Sequence, residues 1–174
     1  MPYAAWPRDR IIQQERTGGL VRQELTCLFL SPSEPTGYWD DIFVIVDHIC
    51  GCVAAQMGVP LECRRLAGAA TDASIKSNPW AALVSSDLIV ADITGRDGIV
   101  MFELGVASAC VDKRSVVILA ENLAAPPIFD IHAACQIGYV RSREGFQQLV
   151  LQLLPFIQRT ISQTAGAKSH RRSG

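Results

Sequence analysis

Three carboxylates crowd one strand-to-helix turn in the stretch SSDLIVADITGRDGIVMFELGVASA, residues 85–109: Asp92, Asp97 and Glu103. Grouped carboxylates can serve as nucleophile, general acid and general base. Asp92 falls near the end of the apolar run DLIVADI, and Asp97 stands just before the next one. Glu103 lies about one turn into the second run, where a helical side chain leans back toward the helix start. Apolar neighbours desolvate it and raise its pKa, while the helix N-terminus and Arg96 pull the other way. Each aspartate has an ordinary structural job available. Asp92 can cap a loop at a strand end, and Asp97 followed by Gly98 has the form of a helix N-cap. Glu103 is harder to dismiss, because it interrupts an apolar helix face and is followed by Leu104 and Gly105. Glycine inside a helix costs about 1 kcal/mol relative to alanine, so Gly105 calls for close packing or ligand approach.

The elements that position these groups follow from hydrophobic periodicity. LTCLFL, residues 25–30, reads as a strand that stops at the turn-rich SPSEPTG. Asp40 is expected to cap a helix reaching Met57, apolar almost all round and therefore well buried. VPLECRRL, residues 59–66, is a second strand. A helix is expected over 74–85, with Ile75, Ala82 and Leu83 inward and a break or late start at Pro79. The third strand, residues 87–93, is apolar on both faces, as a central parallel strand is. A helix over 99–111, a strand at 115–120, an irregular connection and a strand at 136–140 come next. In the last helix Phe146, Leu149, Val150, Leu153, Leu154 and Ile157 recur at helical spacing.

Strands alternating with helices predict an α/β fold: a single flavodoxin- or Rossmann-like domain with a doubly wound, five-stranded parallel sheet. That domain spans 26–160, between an arm at 1–25 and a flexible basic tail at 161–174. Ligands bind such sheets at the carboxyl ends of the strands. Three loops meet at that edge. The first carries Ser31, Ser33 and Glu34, the second Thr71 and Asp72, and the third runs from Asp92 through Thr94, Gly95, Arg96 and Asp97 to Gly98.

The 174 residues are 49% hydrophobic and 19% charged, a globular composition with room for a real core. A net charge of -1 gives no reason to expect a nucleic-acid surface. No apolar run reaches membrane-spanning length, since Asp47, His48 and Asp87 interrupt the candidates. MPYAAWPRDR lacks a signal-peptide core, so a cytoplasmic protein with six reduced cysteines is expected. Cys50-Gly-Cys52 has the look of a metal motif but lacks a second ligand pair at suitable spacing, so no metal is expected.

The central stretch resembles the signature of the nucleoside 2-deoxyribosyltransferase superfamily. More narrowly, it resembles that superfamily's bacterial branch of TIR-like nucleotide-binding proteins. The matching residues are Ala91-Asp92-Ile93-Thr94-Gly95-Arg96 and then Phe102-Glu103-Leu104-Gly105-Val106-Ala107. GYWDDIF, residues 37–43, and PPIFDI, residues 126–131, extend the likeness, so most of 26–150 is covered. The first loop departs from it. LFLSPSEP has neither the tyrosine and glycines of the enzymes nor the MPFG of the branch.

The resemblance implies a nucleophilic Glu103 that forms a covalent glycosyl-enzyme on a nucleoside or nucleoside 5′-monophosphate. It implies Asp97 as the residue that protonates or grips the leaving base. Asp72 and Asp92 would orient the sugar or base, Ser31 and Ser33 would line a phosphate loop, and the backbone near Gly95 and Gly98 would help to bind an anion. It also implies a small-molecule partner and a homo-oligomer, with no cofactor and no metal. Two alternatives stand beside glycosidic cleavage: a non-catalytic nucleotide sensor in which Glu103 grips a ribose, and a TIR-like NAD glycohydrolase.

Overall fold

The computed structural model describes residues 24–32, 37–66, 79–122 and 135–170. Five strands form one all-parallel sheet: β1 (Leu25–Leu30), β2 (Leu61–Leu66), β3 (Leu88–Asp92), β4 (Val116–Glu121) and β5 (Cys135–Tyr139). Their spatial order is β2-β1-β3-β4-β5, the flavodoxin-like arrangement, with β3 at the centre. Among the described residues four α-helices accompany them: α1 (Gly37–Met57), α2 (Pro79–Ser85), α3 (Gly98–Cys110) and α4 (Arg143–His170).

The sheet is covered on both faces, because alternate residues of each strand feed two separate cores. Leu25, Cys27 and Phe29 of β1, Leu88 and Val90 of β3 and Val117 and Leu119 of β4 pack beneath α1 and α4. Leu28, Leu30, Ile89, Ala91 and Ile118 face the other way, beneath α2 and α3. Every residue of β3 is buried, which is why its sequence lacks alternation. Among the described residues no helix is long and apolar enough to cross a membrane.

Several boundaries differ from the periodicity reading. Helix α1 opens at Gly37, so Asp40 lies in its first turn and does not cap it. It is also buried on one side only. Ile42, Val46, Ile49, Cys50 and Val53 line the core, while Val44 is 62% exposed. Apolar composition all round did not separate the two sides; the neighbouring strand and helix do. Helix α2 starts at Pro79, where a missing N–H costs nothing in the first turn. Leu83 is buried as expected, and Ile75 lies outside the described residues. Helix α4 continues through residues the sequence assigned to a tail, as far as His170. Pro155 sits on its exposed side, where the helix can bend toward solvent.

Ser142 opens α4 by accepting the Gly145 amide on its hydroxyl at 2.9 Å. A Cβ at Gly145 would lie 2.1 Å from the Val140 carbonyl oxygen. Backbone must shift to admit it. Gly145→Ala is therefore expected to destabilise the fold by about 1–2 kcal/mol, read as a lower midpoint in thermal or urea unfolding. An unchanged midpoint would show that this turn gives way freely.

Candidate active site

The turn after β3 is held open by its backbone. Residues 94–96 form one turn of 3-10 helix in which Gly95 has φ 75° and Arg96 φ 55°. A left-handed arginine is a strained residue, and such strain gathers at functional loops. Asp97 then caps α3: its Oδ1 accepts the amides of Ile99 at 2.9 Å and Val100 at 3.1 Å. The N-cap role read from Asp97-Gly98 is thus present in the structure.

Glu103 lies on α3, half-buried, between core residues Val100 and Leu104 in sequence. Among the described residues nothing hydrogen-bonds its carboxylate. Burial, and then the nearby charge of Asp97, push its pKa up to about 7. Of the opposing influences read from the sequence, desolvation wins, and Arg96 stands exposed. Gly105 is also exposed and a Cβ there would meet nothing, so packing among the described residues does not account for it. One residue before Glu103, Phe102 is 62% exposed, and its ring meets Trp80 edge-on at 5.6 Å between centroids.

Asp92 has a different setting. It belongs to the α1–α4 side of the sheet, opposite α3, and is completely buried. Its Oδ2 accepts the Tyr139 hydroxyl at 2.7 Å and its Oδ1 accepts the Thr94 amide at 2.9 Å. The Thr94 hydroxyl lies 3.1 Å from Tyr139 Oη and accepts the Glu121 amide at 2.9 Å. Tyr139 and Thr94 thus both hydrogen-bond the Asp92 carboxylate, with their two hydroxyls in contact. Burial raises Asp92 to about 6, against hydrogen bonds from Thr94 that lower it. Asp92 is therefore a brace between the β3 turn and β5, with no surface for a substrate.

At the carboxyl edge of β1, buried Ser31 accepts Arg65 Nε at 2.8 Å, and Arg65 Nη1 is paired with Asp40 of α1. Sequence reasoning found Ser31 but missed Arg65. The available signal was a basic pair, Arg64-Arg65, at the carboxyl end of a short strand. Ser33, Asp72, Glu34, Thr71 and the PPIFDI segment lie outside the described residues. The structure thus brings Glu103, Asp97, Gly95 and Gly98 to one turn, sets Ser31 beside Arg65, and removes Asp92 to the interior.

No protein-family model matches the chain, and no curated protein matches it. Among solved structures the chain is similar to an oxidoreductase from Corynebacterium diphtheriae, at 13% identity and a TM-score of 0.48, over 80% of this chain and 96% of that one. It is also similar to the lysine decarboxylase LdcF of Francisella novicida, at 12% identity and a TM-score of 0.46. That match covers 81% of this chain and 17% of the decarboxylase. Neither likeness bears on the chemistry of the turn.

Proposed function

We propose that this chain cleaves the N-glycosidic bond of a nucleoside or nucleoside 5′-monophosphate through Glu103. One observation carries the reading: a half-buried carboxylate without a hydrogen-bond partner among the described residues, beside a second carboxylate, at the functional edge of a parallel sheet. In this scheme a Glu103 oxygen attacks the anomeric carbon as the carbon–nitrogen bond breaks. The bond's electron pair leaves with the base, which takes up a proton, and a glycosyl ester of Glu103 remains. Water or a second base then attacks the same carbon and frees the carboxylate.

Asp97 uses Oδ1 for the cap, and Oδ2 is left to meet the leaving base. The leaving base takes its proton from solvent water, and Asp97 accepts a hydrogen bond from the protonated base. The exposed rings of Trp80 and Phe102 offer a stacking surface for a nucleobase.

The test is release of free base from a panel of nucleosides, their monophosphates and NAD, with Glu103→Ala in parallel. Release lowered at least about 1,000-fold in the variant supports the reading. No release from any compound, with tight binding of one, would favour a nucleotide sensor instead.

A 5′-phosphate is assigned to Arg65, whose Nη2 has no partner among the described residues, where Ser31 and Asp40 take Nε and Nη1. Arg65→Ala is expected to raise KM for monophosphates about 10-fold or more and leave nucleosides nearly unchanged. Equal effects on both would place Arg65 in the scaffold alone.

A further inference from the structure

A second cluster of reactive groups lies in the other core, away from Glu103. Cys27 of β1 and Cys63 of β2 are register partners on neighbouring parallel strands, so their side chains emerge side by side. Cys50 descends on them from α1. All three sulfurs lie within 4.8 Å of one another. All six cysteines of the chain are free thiols, and Cys27 and Cys50 have no solvent exposure. The Cys50-Gly-Cys52 spacing conceals this arrangement. Cys52 points elsewhere, its sulfur 3.7 Å from His48 Nε2, and the partners of Cys50 come from two strands distant in sequence.

We propose that Cys27, Cys50 and Cys63 form a three-thiolate site for a thiophilic d10 metal ion, Zn(II) or Cu(I). Thiolates are the soft donors that select these ions. An ion about 2.3 Å from each of three sulfurs sets their separations at about 4.0 Å in a trigonal plane and about 3.8 Å in a tetrahedron. The cluster therefore needs to contract by at most about an ångström. The shell around it is apolar and closed, built from residues such as Leu25, Phe29 and Val53. Cys63 also lines a groove of about 710 Å³, whose rim carries Asp47, His48, Gly51 and Cys52. Cu(I) is satisfied by three sulfurs alone. Zn(II) takes a fourth ligand, which water can supply from the groove past Cys63. Each ligating thiol releases its proton to solvent and keeps its electron pair for the metal, and no electron is transferred. The bound ion would tie β1, β2 and α1 together, so its first effect is on stability.

The test uses the whole reduced chain under anaerobic conditions. One arm titrates Co(II) as an optical stand-in for zinc and then displaces it with Zn(II). The other titrates Cu(I) against a chromophoric chelator. The expected result in either arm is one ion per chain, the Cys63 thiol withdrawn from thiol reagents, and a higher Tm. With Co(II), a sulfur-to-metal charge-transfer band is also expected. Which arm responds identifies the ion.

Cys63→Ser, at the half-buried groove wall, is expected to weaken binding at least about 100-fold, more than the loss of an outer partner usually costs. Cys52→Ser and Cys110→Ser should leave it unchanged. Failure of the wild-type chain to bind either ion overturns the proposal, whatever the variants' folding. Binding that survives Cys63→Ser, or that Cys52→Ser removes, overturns it too, the latter by placing the ion at His48 and Cys52 on the surface.

Discussion

Glu103→Gln is expected to make the protein more stable at pH 8 and to abolish base release. The two effects share a cause. Burial and Asp97 hold Glu103 near a pKa of about 7, well above a carboxylate's usual value. Between about pH 4.5 and 7 the folded chain keeps a proton that the unfolded chain has lost. Stability therefore falls as pH rises through that window, and above it the full cost of an ionised Glu103 is present. Solvent still reaches the carboxylate, so that cost is about 1–2 kcal/mol. Glutamine removes the ionisation and recovers it at pH 8, while at pH 4.5 variant and wild type should match. A residue that served the fold would show the opposite, since its removal would destabilise.

The same pKa sets the pH profile of activity. A nucleophilic carboxylate must be ionised, so the rate should rise with pH to a plateau, with a midpoint near 7. Asp97→Asn separates the two jobs of Asp97. Asparagine caps a helix about as well as aspartate, so α3 should hold. Without that charge Glu103 ionises more readily, and the rising limb should move to lower pH. A midpoint unmoved by Asp97→Asn, or a Gln variant no more stable than wild type at pH 8, would break the argument.

The features legible in the sequence are those written within a single run of residues. DLIVADI reads as a central strand because its inner residues, Leu88–Asp92, are all buried. The final helix declares its inner face through Leu149, Leu153 and Ile157, all with no solvent exposure. Asp97 is readable as a cap because a cap and its helix are contiguous. The illegible features join residues that are far apart in the chain. Asp92 finds Tyr139 across 47 positions and Arg65 finds Ser31 across 34. Neither pairing names its partner locally: a tyrosine at a strand end has common surface uses, and the Arg64-Arg65 pair marks a basic site without pointing to Ser31. Helix α1 shows a third kind of limit. With apolar residues on every side, its inner face is chosen by what packs against it, and Val44 is left outside. Gly105 shows a fourth, because its open surroundings refute packing without revealing what approaches it.

Tyr139→Phe tests the brace behind the site and should be the costliest conservative change in it. The ring itself is kept, so packing against Phe146 survives. What is lost is the proton that Tyr139 gives to Asp92 Oδ2 and the hydroxyl contact with Thr94. The fully buried carboxylate then keeps its hydrogen bonds from Thr94. Losing one donor to a buried charge costs roughly 2–4 kcal/mol. The cost must depend on pH. Asp92 already holds its proton up to about pH 6, and without Tyr139 it will hold it higher still. Below that point the carboxyl is neutral and the loss is small, whereas above it an uncompensated charge is buried. The destabilisation should therefore grow as pH rises from 5 to 8, by no more than about 1.4 kcal/mol per pH unit for one proton. A penalty equal at pH 5 and pH 8 would mean that the hydroxyl acts through packing and not through the charge of Asp92. The growing penalty would also be felt at Glu103. The Thr94 hydroxyl and amide anchor the start of the turn that ends in the Asp97 cap, so loosening one end of that turn frees the other.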